Sequence, residues 1–160
     1  MIANVYSRSL QAQKNDDPYR LRNKVPFSTR CAGCGAVFFR GRWITGFKTN
    51  HPALHMSLCS ACRRQKEHMP AGMVAIRGDF YREHRDEINS MIYHLEKKEF
   101  RGHPLERIMS REESENELRL TTTGVHLARR IGGGLHRSYK GALSLSTGPG
   151  DDMVRVCWIR

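Results

Sequence analysis

The middle of the chain alternates between the two hydrophobic spacings that distinguish strands from helices. Residues 73–77 form a short, mainly apolar run, which predicts a strand. Over residues 80–100, the side chains of one face recur mostly at spacings of three and four, which predicts a helix that ends at residues 102–104. The residues of this face are Phe80, His84, Ile88, Met91, Ile92 and Leu95. Residues 105–113 are compatible with a second strand, and the alternation over residues 117–122 predicts another.

The rest of the chain continues with a second helix and two more strands. Residues 125–140 predict a second helix, and residues 142–147 predict a strand. The predicted buried face of this helix contains Ala128, Ile131, Leu135 and Tyr139. Residues 148–152 are typical of a turn, and residues 153–160 predict a last strand. The order strand, helix, strand, strand, helix, strand, with one extra strand, matches the ferredoxin-like (split βαβ) arrangement.

Two pairs of cysteines have the spacing of a metal site. Cys31 and Cys34 are separated by two residues, as are Cys59 and Cys62, and 24 residues lie between the pairs. Each C-x2-C turn places two thiolates at one edge of a tetrahedron, so two turns predict a closed site of four cysteine ligands. Such a site is typical of structural zinc (Zn2+). Rubredoxin-like iron is the alternative, and a thioredoxin-like redox pair is less favoured.

These patterns divide the chain of 160 residues into three segments. The expected fold class is α+β, with a four-cysteine zinc ribbon followed by a ferredoxin-like domain. Pro70, Ala71 and Gly72 mark the boundary between them. We therefore predict a basic flexible arm over residues 1–30, the zinc ribbon over residues 31–72 and the ferredoxin-like domain over residues 73–160.

Positive charge is concentrated in the first part of the chain. The net charge is +11, and nine of these charges lie in residues 1–72. This excess favours a polyanionic partner, most often nucleic acid; a solvated surface with a basic tail is the alternative. No stretch approaches the ~18 consecutive apolar residues of a transmembrane helix, and residues 1–13 lack the apolar core of a secretion signal. The sequence thus predicts a cytoplasmic protein without a membrane partner.

Aromatic and basic residues alternate directly after the first cysteine pair. In the hairpin predicted over residues 36–43, Phe39, Arg40, Arg42 and Trp43 share a small rigid platform. Aromatic side chains can stack on bases and arginines can bind phosphates, so these residues are candidate RNA contacts. In the alternative, the aromatic side chains pack the small core and only the arginines are exposed. The basic residues that extend this face after the second cysteine pair are Arg63, Arg64 and Lys66.

The second predicted helix carries a second basic cluster. Residues 121–150 contain no acidic side chain, and a threonine within residues 121–123 can cap the helix. The candidate phosphate-binding residues are His126, Arg129, Arg130, Arg137 and Lys140. A solvated helix face is the alternative. Each residue of Gly132-Gly133-Gly134 costs up to about 1 kcal/mol in a helix. Either the helix breaks there, or a backbone or nucleic acid approaches closely.

Several motifs together resemble a small, largely uncharacterised bacterial zinc-ribbon family, over roughly residues 16–145. They are CxxCG with a second CxxC, HPLERI at 103–108, TTTGVHLARRIGGGL at 121–135 and YKG at 139–141. The TTTGVHLARRIG segment is also similar to the archaeal and eukaryotic nonsense-mediated-decay protein 3 family, the large-subunit export adaptors. That family carries cysteine-pair zinc modules and binds the large ribosomal subunit. The similarity implies a role on RNA or the ribosome. Because this chain is much shorter and has one four-cysteine set, it implies no role in nuclear export.

The sequence therefore predicts a zinc-stabilised RNA-binding protein with a ribosomal subunit as the favoured partner. No enzyme is predicted, because GxSxG, HExxH and nucleophile–base patterns are absent from the sequence. Cys157, between two inward-facing residues of the last strand, is expected to be a packing or idle thiol. The first alternative is a zinc-ribbon DNA-binding regulator, ranked lower because no recognition helix is expected after the cysteines. The second is a rubredoxin-like iron redox protein.

Overall fold

The computed structural model describes residues 17–19, 25–26, 28–46, 55–148 and 153–160. Within these residues the chain forms two β-sheets and four α-helices, which confirms the predicted α+β class. Most of the predicted basic arm, and most of the turn predicted over residues 148–152, lie outside the described residues.

The first sheet consists of four short strands around the cysteines. They are β1 (Thr29–Cys31), β2 (Val37–Phe39), β3 (Arg42–Ile44) and β4 (His55–Ser57). The spatial order is β3-β2-β1-β4, with β1 antiparallel to β2 and parallel to β4. The small core of this module is built from Cys31, Ala36, Trp43, Cys59 and Ala61.

Helix α1 (Ser60–Glu67) follows β4 and contains Cys62. The sequence predicts no helix in this segment. Only Ala61 and Arg64 of its eight residues are buried, so the sequence carries no helical hydrophobic pattern here. The helix begins directly after Cys59, whose sulfur caps it by accepting a hydrogen bond from the Cys62 backbone N–H.

The second sheet has five strands and, together with three helices, forms the larger module. Its elements are β5 (Gly72–Arg77), α2 (Asp79–Glu83), α3 (Arg85–Gly102), β6 (Ile108–Glu113), β7 (Glu117–Thr122), α4 (Val125–Tyr139), β8 (Ala142–Thr147) and β9 (Val154–Ile159). The helix predicted over residues 80–100 is divided at His84, which leaves the helical conformation (φ −115°, ψ 28°) and stacks on Phe80. The strand predicted over residues 105–113 begins only at Ile108.

The order of strands in this sheet is β6-β7-β5-β9-β8. Strand β5 is antiparallel to β7 and parallel to β9, and β8 pairs with β9 as an antiparallel hairpin. A ferredoxin-like sheet places its first strand beside its fourth, whereas here β9 lies between β5 and β8. The predicted ferredoxin-like arrangement is thus not confirmed, although the β6-β7-β5 half contains the split βαβ unit.

The helices of the larger module cover one face of its sheet. One continuous core joins Val74, Ile76, Leu118, Leu120, Val156 and Trp158 of the strands to Ile88 and Ile92 of α3 and Leu127, Ile131 and Leu135 of α4. The opposite face carries alternate residues such as Met73, Arg119 and Cys157. Cys157 therefore points away from Val156 and Trp158, as the alternation predicts.

Candidate metal centre and basic surfaces

The four predicted metal ligands converge on one point of the smaller module. The sulfur atoms of Cys31, Cys34, Cys59 and Cys62 all lie within 4.8 Å of one another. Cys31 ends β1 and Cys34 lies in the turn after it, while Cys59 caps α1 and Cys62 lies in its first turn. The Sγ atoms of Cys34 and Cys59 are 3.9 Å apart. Metal–sulfur bonds of ~2.3 Å in a tetrahedron require a separation of about 3.8 Å, so the spacing fits a tetrahedral metal.

Backbone groups are arranged around the sulfurs as in a metal knuckle. The Cys59 N–H donates to the Cys31 sulfur over 3.3 Å, and the Cys62 N–H donates to the Cys59 sulfur over 3.4 Å. Gly33 is required by close approach, since a Cβ there would lie 2.9 Å from the Cys62 sulfur. Gly35 adopts a positive φ of 73°, which closes the turn after Cys34. The four cysteines are therefore held within metal-binding distance by both turns.

The pKa values of the cysteines shift in different directions across the cluster. Burial raises the pKa of Cys59 well above its usual range, and the neighbouring sulfurs Cys34 and Cys31 raise it further. Burial also raises the pKa of Cys62. At Cys31 burial acts in the same direction, but backbone N–H donors outweigh it and lower the pKa to about 6. Because four thiolates repel one another here, a bound metal is the group that would let all four ionise.

Arg107 of the larger module contacts this cluster; it lies in the HPLERI motif, but the sequence indicated no role for it at the cysteines. Its guanidinium donates to the sulfurs of Cys34, Cys62 and Cys59 over 3.2, 3.5 and 3.9 Å. Burial by itself lowers the pKa of Arg107, but the contacts with Cys34 and Cys62 outweigh it and raise the pKa. Arg107 is 73 residues from Cys34 in the chain, which is why local spacing could not reveal the contact.

The segment that carries Arg107 is held by the start of α4. Glu106 accepts a hydrogen bond from the Leu127 N–H over 2.8 Å, so a carboxylate occupies the N-terminus of this helix. The Thr123 hydroxyl donates to the Leu105 carbonyl over 2.5 Å and accepts from the Arg107 N–H over 2.9 Å. The HPLERI segment therefore contacts the TTTG segment and the first turn of α4. Leu105 also packs against the core of the cysteine module.

The predicted hairpin platform is present, but its aromatic residues differ in exposure. Arg40 and Arg42 are exposed at the tip between β2 and β3, and Phe39 is half-buried beneath the Arg40 guanidinium at 5.3 Å. Trp43 is only 6% exposed and meets the Phe38 ring edge-on at 5.4 Å. Trp43 therefore belongs to the small core and cannot stack on a base, whereas the two arginines form an open basic tip.

The basic residues of α1 fall into two groups. Lys66 is exposed and Arg63 is half-exposed. Arg64 is 4% exposed, and its guanidinium binds Asp17 at 2.5 Å and the Met69 carbonyl at 3.0 Å, and lies 4.2 Å from the centre of the Tyr19 ring. The prediction that Arg64 contacts nucleic acid is therefore corrected, because all of these contacts hold it inside the module.

The outer face of α4 carries most of the predicted second basic cluster. His126, Arg130, Arg137 and Lys140 are exposed, and Arg129 is half-buried. The sequence missed the acidic partner of this face, since Glu99 of α3 binds Arg130 at 3.0 Å. The helix does not break at its three glycines.

The three glycines of α4 have different surroundings. A Cβ on Gly132 would meet the Val156 side chain at 2.4 Å, and one on Gly134 would meet the Leu95 side chain at 3.1 Å. These two glycines therefore let α4 approach the sheet and α3. A Cβ on Gly133 would meet nothing within 4 Å. Packing thus explains Gly132 and Gly134 and leaves Gly133 in the middle of the exposed basic face.

Comparisons with known proteins identify no relative of this chain. The sequence matches no family model, and it matches neither a curated protein nor a solved structure. Among the described residues, no helix combines the length and the apolar character needed to cross a membrane.

Proposed function

We propose that this chain is a zinc-stabilised RNA-binding protein that associates with a ribosomal subunit. The observation that carries the proposal is the outer face of α4, where exposed His126, Arg130 and Arg137 surround the open Gly133. A nucleic-acid backbone can approach this face closely at Gly133, which has no side chain and where a Cβ would meet nothing within 4 Å. The exposed tip at Arg40 and Arg42 offers a second set of phosphate contacts on a rigid hairpin.

Zinc is the metal that best suits the donor set. Four cysteine sulfurs leave no position for a substrate or water, as in structural zinc sites. Such a metal would hold the hairpin and α1 in place through Cys31, Cys34, Cys59 and Cys62. The small core of this module contains few large apolar side chains, which supports a structural rather than a catalytic role for the metal.

Phosphate binding is favoured over base stacking for the larger module. The open face of its described strands carries no aromatic side chain, and its Arg77 and Arg119 both bind Glu117. Base recognition on that face would lack the stacking platform that single-stranded RNA modules use. The interface we propose therefore uses α4 and the hairpin tip.

The test compares RNA binding of three variants over a range of salt. Arg137→Ala with Lys140→Ala should weaken binding and reduce the salt slope by about one per lost phosphate contact. Arg40→Ala with Arg42→Ala should do the same if the hairpin tip takes part. Arg101→Ala, at an exposed site near the end of α3, is the matched control and should change neither. An unchanged affinity and slope in the α4 variant would remove this helix from the interface.

Ribosome association is tested in lysate. Sucrose-gradient fractionation at low and high salt should place the protein with one ribosomal subunit at low salt only, because the contacts are electrostatic. Metal analysis of the same fractions should give one zinc per chain. Migration at the top of the gradient at both salts would argue against the ribosome as partner.

Duplex DNA is the second candidate partner, and helix α1 is the observation that favours it. The helix begins after Cys59, contains Cys62 and exposes Lys66, with half-exposed Arg63 on the same helix. It is only eight residues long and its Arg64 is buried, so few side chains remain to reach base edges. Binding of RNA and duplex DNA at one fixed salt concentration separates the two. A red protein with visible absorbance would instead support the iron alternative.

A further inference from the structure

We propose that Arg107 of the larger module supports the metal centre by donating hydrogen bonds to its ligand sulfurs. Its guanidinium donates to three of the four ligand sulfurs, including that of Cys34, the exposed cysteine of the four. The inference rests on the metal half of the proposed function and is independent of RNA binding.

The position of Arg107 is fixed by contacts that do not involve the cysteines. Its Nε donates to the Pro104 carbonyl over 2.7 Å, and its backbone N–H donates to the Thr123 hydroxyl over 2.9 Å. The guanidinium also lies 5.7 Å from the centre of the Phe100 ring. Both ends of the side chain are therefore held, so the guanidinium is preorganised toward the sulfurs.

The contact between Arg107 and the sulfurs offsets negative charge at the metal centre. Four thiolates around a divalent metal carry a net charge of about −2, and a guanidinium beside them offsets one of these charges. The shortest of the three contacts is made to Cys34, which is the exposed ligand of the four. A donor that hydrogen-bonds a ligand sulfur orients that sulfur and occupies space beside it. Arg107 should therefore hold Cys34 in position for the metal and limit the approach of electrophiles to it.

The same contact docks the two modules. Leu105 packs against the cysteine core, Arg107 binds the sulfurs, and Glu106 between them binds the start of α4. Charge attraction between the sulfurs and Arg107 adds to this contact. A bound metal, besides stabilising its own module, would therefore keep the sulfurs in the positions that Arg107 contacts.

The experiment measures metal retention in variants of Arg107. Zinc content is first determined for the purified full chain, followed by the rate of zinc transfer to a colorimetric chelator. Arg107→Ala should release zinc about ten-fold faster than the wild type, since loss of a group that supports metal ligands typically costs ten- to a hundred-fold in affinity. Arg107→Lys, which keeps the charge and loses the fork, should fall between them. Arg101→Ala is the exposed control and should match the wild type.

A second readout follows Cys34 itself. Iodoacetamide alkylates a thiolate by forming a sulfur–carbon bond as iodide leaves, and peptide mass spectrometry reports which cysteine has reacted. Cys34 should react faster in Arg107→Ala than in the wild type, while Cys31, which is buried, should change little. A structural defect alone would instead expose all four cysteines together.

The outcomes separate the two proposals. Zinc in the wild type with equal release and alkylation rates in Arg107→Ala would overturn the role of Arg107 and leave the metal site standing. A wild-type chain that binds no metal would overturn both. If Arg107→Ala does not fold, Arg107→Lys decides, and zinc release from that variant at the wild-type rate would overturn the role proposed for the guanidinium.

Discussion

Glu99 of α3 and Arg130 of α4 form an ion pair in which the carboxylate is buried and the guanidinium is exposed. The Glu99 Oε1 and Arg130 Nη1 atoms are 3.0 Å apart, and the two side chains are 6% and 56% exposed. Arg130 therefore has a structural partner as well as a place on the basic face of α4. A loss of RNA binding on its removal would have two causes, which is why the RNA test uses Arg137 and Lys140.

We expect Arg130→Ala to destabilise the larger module by about 1–2 kcal/mol. The change leaves the Glu99 carboxylate buried without its partner, and the cost falls below that of a fully buried pair because Arg130 is half in water. Urea unfolding of the full chain measures it. Arg137→Ala on the same face should stay within about 0.5 kcal/mol of the wild type. Combining Arg130→Ala with Glu99→Gln should recover part of the loss, and no recovery would contradict the ion-pair explanation.

The glycines of α4 provide a test in which stability and binding change in opposite directions. Gly133→Ala should stabilise the protein by about 0.5–1 kcal/mol, since alanine is the better helix former and a Cβ there meets nothing within 4 Å. RNA affinity should nevertheless fall if an RNA backbone approaches this position. Thermal unfolding and RNA titration measure the two effects on one sample. A more stable variant with unchanged affinity would place the RNA elsewhere.

Gly132→Ala is the matched control for this substitution. Its Cβ would lie 2.4 Å from Val156, which is buried in the sheet, so the helix must move or the core must repack. We expect a loss of about 1–3 kcal/mol, as for other overpacked cores. The two neighbouring glycines should thus differ in the sign of their effect on stability.

Metal removal should affect the two modules unequally. The cysteine module has its own small core, whereas the larger module has a continuous apolar core that contains no metal ligand. Hydrogen–deuterium exchange after chelation should show loss of protection in β1, β2 and α1, and retained protection in β5 and β7. Equal loss in both modules would mean that they unfold as one unit.

A substitution at Gly33 tests the geometry of the site without removing a ligand. A Cβ there would lie 2.9 Å from the Cys62 sulfur, so Gly33→Ala should displace that sulfur and weaken metal binding in competition with a chelator. Gly102→Ala, where nothing lies within 4 Å, is the matched control. Equal metal affinity in both variants would show that the turn can relax around the added methyl group.

Local patterns in the sequence identified the elements whose spacing is decisive. Strands β7 and β8 have the predicted bounds because their alternation is regular, and the cysteine pairs lie together because each knuckle is a local turn. The features that the sequence did not reveal depend on contacts between residues that are far apart in the chain. Burial of Arg64 requires Asp17, 47 residues away, and the metal-site contact of Arg107 requires two modules to meet. Neither leaves a periodic signal.

The place of the last strand could not be predicted for a related reason. The β8–β9 hairpin can join a sheet by either of its strands, and the alternation of Val154, Val156 and Trp158 is the same in both cases. Pairing of Val74 with Leu120 on one side and Val156 on the other decides the order, and that choice depends on the whole sheet. The extra strand was predicted, but its position beside β5 was not.

This position of β9 has a consequence for the protein while it is being synthesised. Strand β5 pairs with β7 along one edge, but its other edge pairs with residues 154–159, which leave the ribosome much later. Until then, a strand that contains the apolar residues Val74 and Ile76 presents unpaired backbone groups to the cell. Pairing Gly72 with Val154 also closes a long loop, which slows folding. During synthesis the exposed edge of β5 is therefore open to aggregation until β9 pairs with it and takes its place between β5 and β8.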